Sequence, residues 1–210
     1  MSELLTRSLA GTALIAIAIA AVFHGGYYFA VLVAAGATAV FYEWTRLVRR
    51  WGPAWYFGGF VYALVAALSL LWIRDRADNG IALVMWVFII VWSTDIGAYF
   101  TGRAIGGPKL APTISPNKTW AGFHGGIAAA TALGGLWVYL AGLSPAFLVL
   151  APLFSAAAQG GDLFESWMKR RAGMKNSGKL LPGHGGVFDR LDGLLPVAVL
   201  TALCALTGVA

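Results

Sequence analysis

An all-α fold, a polytopic helical bundle with about seven transmembrane helices, is what this sequence predicts. Three observations carry the prediction. Hydrophobic residues make up 59% of the 210 and charged residues only 11%, against about 45–50% and about 25% in soluble chains. Seven runs contain no Asp, Glu, Lys or Arg: 8–23, 27–42, 54–73, 80–94, 123–141, 144–161 and 193–210. A spanning helix needs roughly 17–25 residues, and the shorter runs gain reach from Trp, Tyr and Arg flanks. Finally, charge and glycine are gathered between Gly160 and Asp192, where four of the nine acids and six of the fifteen Lys and Arg fall within 33 residues. The length suits one membrane-embedded unit, residues 1–210, with functional loops at 95–122 and 160–192.

Taken in order, Met1 to Arg7 lies along the membrane surface and Ser8 to Phe23 forms the first span. His24-Gly25-Gly26 turns directly into a second, Tyr27 to Thr45, so the pair reads as a helical hairpin rather than a cleaved leader. Glu43 closes that span beside Arg46, Arg49 and Arg50, where an interfacial ion pair with an arginine is its expected role. Ala54 to Ile73 is the third span, followed by a solvated turn from Arg74 to Gly80. The fourth begins at Ile81 and runs into Asp95. An acid there costs about 2.5–3.5 kcal/mol at mid-bilayer, so it requires a partner or a wet cavity. A loop rich in Gly, Pro and Lys follows to Gly122, then spans from Phe123 to Leu140 and from Pro145 to Ala158. Gly193 to Ala210 is the last.

Charge distribution orients the bundle. With seven spans, Arg7 and the loops 46–53, 101–122 and 161–192 share one face, which holds 13 Lys and Arg; the other holds only Arg74 and Arg76. The positive-inside rule makes the first face cytoplasmic. The net charge of +6 therefore reports topology rather than a nucleic-acid partner. A single cysteine, Cys204, excludes an intramolecular disulfide framework and reads as apolar filler.

Chemistry is expected on that one face. Asp162 and Glu165 stand three apart, as do Asp189 and Asp192, a spacing that puts each pair on one side of a helix. Lys169, Arg170, Arg171, Lys175, Lys179 and Arg190 lie close by in sequence, so mutual salt bridges are one explanation. The interleaved glycines point further, because they let backbone N–H groups approach an anion. Carboxylates for a hard cation, cations for phosphate oxygens and a Gly-lined backbone are the parts used on a metal-complexed polyphosphate. Mg²⁺ takes one or two protein carboxylates, so Asp162 and Asp189 suffice; the sequence leaves open whether K⁺ joins it. In the earlier loop Ser115, Asn117, Lys118 and Thr119 offer hydroxyl, amide and ammonium groups within five residues, and Trp120 reads as an interface anchor.

The run Ser166-Trp167-Met168-Lys169-Arg170, then Lys175, then Leu181-Pro182-Gly183-His184-Gly185-Gly186-Val187-Phe188-Asp189-Arg190-Leu191-Asp192 closely resembles the signature of the phosphatidate cytidylyltransferases, or CDP-diacylglycerol synthases. The resemblance extends to Gly161–Ser166, to Asp95 with Gly97-Ala98-Tyr99, to Lys109–Pro112 with Ser115-Pro116 and Lys118-Thr119-Trp120, and to Tyr42-Glu43-Trp44. It implies an integral membrane enzyme of a bacterial-type inner membrane that joins CTP and phosphatidate, giving CDP-diacylglycerol and pyrophosphate. By the same resemblance Asp162 and Asp189 are the metal-binding carboxylates, and Lys169, Arg170, Lys175, Arg190 and Asp192 complete the catalytic group. Ser115, Asn117, Lys118 and Thr119 become candidates for nucleotide contacts, joined by Asp95, Glu165 and Ser166. His184 is a candidate acid, with a structural hydrogen bond inside its turn as the alternative. A homodimer stays open.

Two positions depart from the family pattern: Asn176 stands where it has Asp after Lys, and Ala121 where it has Glu after Trp. The chain is also short for the family ahead of Glu43. A relative that binds nucleotide or lipid without turnover is therefore one alternative, and it predicts CTP binding without pyrophosphate release. A transporter or channel lined by Asp95 and the acidic pairs is another, and it predicts acids buried in mid-span.

Overall fold

A computed structural model describes residues 3–181 and 185–208, with side chains from residue 11 onward. Helices follow the apolar runs closely: α1 Glu3–His24, α2 Gly26–Leu47, α3 Pro53–Arg74, α4 Gly80–Ile105, α5 Trp120–Ala141, α6 Ala146–Arg171, a four-residue α7 Phe188–Leu191, and α8 Leu194–Leu206. A small antiparallel ribbon, β1 Lys109–Ala111 and β2 Ser115–Thr119, departs from the purely helical expectation. The protein is an all-α polytopic membrane bundle carrying this ribbon between α4 and α5.

Five helices, α2 to α6, are long and apolar enough to cross a membrane by length and composition. Helix α1 has 22 residues, and α8 has 13, about 20 Å at 1.5 Å per residue. The expected seventh span from Gly193 to Ala210 is thus a shorter element among the described residues. Helices α4 and α6 run to 26 residues each, about 39 Å against a hydrocarbon core of about 30 Å. Their polar C-terminal turns therefore project beyond the apolar layer. Here the structure corrects the loop limits: 95–105 continue α4 and 160–171 continue α6, because neither stretch contains a breaker strong enough to stop an established helix.

Two apolar clusters hold the bundle. The larger packs Trp86 and Ile90 of α4 against Phe147 and Phe154 of α6 and Val197 of α8, with the Trp86 ring 5.1 Å from Phe147 and 5.6 Å from Phe154. The smaller surrounds Trp44 of α2 with Leu47, Met168, Phe188 and Leu195, directly beneath the charged end. Arg74 lies at the opposite end, donating to the Val22 and Phe23 carbonyls that close α1, so it is held by protein rather than simply solvated.

Helices α4 and α5 make the closest pair, and glycine sets the distance. A Cβ at Gly97 would overlap the Gly125 carbonyl oxygen and the Ala129 methyl. Backbone cannot step aside, so larger side chains must separate the helices. Gly97→Leu is expected to cost about 1–3 kcal/mol by overpacking. Thermal unfolding in detergent measures this, and an unchanged midpoint would contradict the close α4–α5 contact.

Candidate active site

Three separate parts of the chain meet at one end of the bundle. The C-terminal half of α4 brings Asp95, that of α6 brings Asp162 and Lys169, and the segment around α7 brings Asn176, Asp189, Arg190 and Asp192. These residues line an open cavity of about 400 Å³. Close approach is again a glycine property: a Cβ on Gly161 would overlap the Asp192 carbonyl oxygen, so only glycine lets α6 reach this segment and set Asp162 near Asp192.

On α6, Asp162, Glu165, Ser166 and Lys169 share one face. Ser166 Oγ donates to Asp162 Oδ1 at 3.3 Å. Lys118, from β2, reaches Asp162 Oδ2 at 2.5 Å, with the two side chains 23% and 35% exposed. A pair that wet is worth about 0–1 kcal/mol, so it can yield to a ligand. Lys169 is different. Its Nζ lies 2.6 Å from Asp189 Oδ1 and also against Glu165 Oε2. Glu165 is fully buried and has no oriented hydrogen bond on either oxygen among the described residues, so Lys169 is its counter-charge. Salt bridging thus accounts for part of the charge cluster, and it fixes Lys169 in place.

Asp189 is held from all sides. Besides Lys169 on Oδ1, its Oδ2 accepts the backbone N–H of Ser177 at 3.1 Å and of Gly186 at 2.8 Å. Burial alone would raise this carboxyl, but the Lys169 and Gly186 hydrogen bonds win and hold it below the usual range. Asp192 goes the other way. Burial, and then the neighbouring Asp162 and Asp95 carboxylates, push it well above that range. One acid is internally satisfied and the other sits among like charges.

The remaining expected residues divide. Arg190 stands at the exposed rim of the cavity. Arg170 turns outward, its Nε donating to the Ile114 carbonyl at 3.1 Å and so tying α6 to the ribbon. Lys175 is exposed and is not part of the cavity lining. Ser115 and Asn117 lie on the ribbon away from that lining. Thr119 is buried and caps α5, its side chain accepting from Gly122 N at 3.0 Å. His184 lies outside the described residues.

Glu43 overturns its expectation of an arginine pair. It is fully buried, and its carboxylate accepts from Ser177 Oγ, Val187 N and Phe188 N. Ser177 was not visible as a site residue; its only signal is a small polar side chain between Asn176 and Gly178.

Comparison with known sequences places these residues in context. A profile of the cytidylyltransferase family matches residues 51–207. A protein named phosphatidate cytidylyltransferase from Brucella suis is 53% identical over 162 residues, covering 75% of this chain and 60% of that protein. Proteins of the same name from Bacillus subtilis and Haemophilus influenzae are 45% and 43% identical, over 59% and 55% of this chain and 47% and 43% of theirs. The matched region is thus less than two thirds of each relative.

Replacing Lys169 with Met should strand the Glu165 and Asp189 carboxylates together. Breaking a buried pair of this kind costs about 3–5 kcal/mol. Denaturant or thermal unfolding should detect the loss in Lys169→Met, and Glu165→Gln on that background should recover part of it. No loss would mean that the three groups are wetter than their burial indicates.

Proposed function

Because the chain belongs to the cytidylyltransferase family, we propose that it transfers the cytidylyl group of CTP to phosphatidate. The products are CDP-diacylglycerol and pyrophosphate. The observation that carries this reading is the cavity where Asp95, Asp162, Asp189 and Asp192 face Lys169 and Arg190, with Lys118 on Asp162. A polyphosphate site needs both signs of charge in one concave place. The names of the relatives supply the substrates.

In this reading a phosphatidate phosphate oxygen attacks the α-phosphorus of CTP. A new P–O bond forms, the α–β bridging bond breaks, and pyrophosphate leaves with the electron pair. No protein nucleophile is required. Lys118 can turn from Asp162 to phosphate oxygens at little cost, and Arg190 at the rim adds a second positive charge. Lys169, locked between two acids, contributes fixed positive potential. Ile96, Tyr99 and Phe100 lie exposed beside Asp95, an apolar surface suited to acyl chains adjoining the charged end.

The donor set fits Mg²⁺. It is all carboxylate oxygen, and the crowding at Asp192 is the condition that a divalent cation relieves. Mg²⁺ takes one or two protein carboxylates and completes its shell from water and phosphate. Asp162 is the better placed ligand, since Asp189 already spends both oxygens on Lys169 and two amides. When bound, the ion would supply charge neutralisation on the phosphate oxygens.

The same reading puts the charged end in the cytoplasm of a bacterial-type inner membrane, as the loop arginines and lysines favour. A transport path fits less well, because the cavity acids all lie to one side of the buried Trp86, Phe147 and Phe154 packing and none lies within it.

Pyrophosphate release by the purified chain in detergent, with CTP, Mg²⁺ and phosphatidate omitted in turn, tests the reaction. Release should require all three. Asp162→Ala should lower kcat by ~10²–10³-fold, the scale of one lost transition-state contact, without shifting the unfolding midpoint. CTP binding without release would replace this reading with a silent relative, and ion flux without CTP would replace it with a transporter.

A further inference from the structure

Glu43 lies outside the residues 51–207 matched by the family profile and outside the cavity lining. Its carboxylate is nonetheless held by three donors. Oε2 accepts from Ser177 Oγ at 2.8 Å and from Phe188 N at 2.8 Å, and Oε1 accepts from Val187 N at 3.1 Å. All three donors belong to the segment that carries Asp189. Ser177 extends the chain of contacts: its backbone N–H donates to Asp189 Oδ2 at 3.1 Å, and its hydroxyl oxygen lies 3.3 Å from the Asp189 N–H. Gly178 and Gly186 press against the carboxylate so closely that a Cβ on either would overlap its oxygens.

Space-filling does not explain this. Burying a carboxylate is costly, and an apolar residue of that size would pack the same volume more cheaply. What a carboxylate adds is direction. The two amides at the start of α7 have no side-chain cap of their own, and Glu43 supplies both acceptors from a neighbouring helix.

We propose that Glu43 is a positioning residue. From the rigid end of α2, acting through Ser177 and the start of α7, it fixes the Asp189 carboxylate relative to Asp162 on α6. The inference rests on the nucleotidyl-transfer reading above. Glu43→Gln is the informative change, because either orientation of the amide sets an NH2 group against a backbone N–H that now has an acceptor.

The test compares the full chain in detergent as wild type, Glu43→Gln, Ser177→Ala and the double variant. It reads amide exchange at Ser177 and residues 186–189, together with kcat and KM for CTP. Glu43→Gln should speed exchange at those amides and lower kcat by ~10²-fold, the scale of a misplacement near 1 Å, with KM for CTP unchanged. Ser177→Ala should give a smaller loss of the same kind, and the double variant should lose no more than Glu43→Gln, because both act along one path. Wild-type exchange rates, an intact kcat, a loss confined to KM, or additive losses would each overturn the proposal. If Glu43→Gln does not fold, Ser177→Ala decides on the same readouts. A wild type that releases no pyrophosphate overturns the reaction instead. Exchange then judges Glu43 alone: faster rates support the positioning contact and unchanged rates overturn it.

Discussion

Carboxylates withdrawn from water have to be answered from within the chain, and the two ways this protein answers them shape its charged end. Glu165 and Asp189 are answered by a cation, Lys169, which stands between them. Glu43 is answered by neutral donors, two amides and a hydroxyl. Both solutions draw on the segment from Ser177 to Asp189. Ser177 and residues 186–189 are therefore held between Glu43 of α2 on one side and Lys169 of α6 on the other. A glycine-rich stretch with little apolar surface would not hold one shape by packing alone.

The same end depends on helix length. Had α6 stopped at the edge of the apolar layer, Lys169 would have no scaffold and Asp189 no counter-ion. Running on to Arg171 carries a charged face past the hydrocarbon and gives the ribbon somewhere to dock, through Arg170 on Ile114 and Lys118 on Asp162. Close α4–α5 packing then determines where the ribbon begins and ends, since β1 leaves α4 and β2 runs into the Thr119 cap of α5. The cavity is assembled from three stretches that are remote in sequence. Each is anchored on a helix, which suits a site that must keep charges in fixed relation.

Much of this was legible from the sequence. Uninterrupted apolar runs located the helices, because few other features compete in a chain with so little charge. The i, i+3 acids pointed to one face of a helix, and Asp162, Asp189, Asp192 and Asp95 do meet around one cavity. The partner of Glu43 was not legible. An arginine stood three residues away, while the true donors lie on residues 177, 187 and 188, and two of them are backbone groups with no residue type to read. Thr119 was ambiguous for a related reason: a hydroxyl before a helix serves equally as a ligand group or a cap, and only the fold shows its bond to Gly122. The ion pairs of Lys169 were not legible either, because one-dimensional spacing does not reveal that two acids share it.

Asn176 gains a clearer meaning once the cavity is visible. It stands in the cavity wall, so a carboxylate at this position would face the same space as four others. Like charges so gathered raise one another's proton affinity, as Asp192 already illustrates. The amide keeps a carbonyl acceptor and adds two donors while sparing the cavity one more repulsion. If the site takes a divalent ion as proposed, the cost of the amide is one negative charge fewer to hold it. The amide at Asn176 leaves the carboxylates of Asp162, Asp189 and Asp192 in place around the cavity. In the proposed reading, a change that leaves those groups standing would alter the strength of a polyphosphate site before abolishing it.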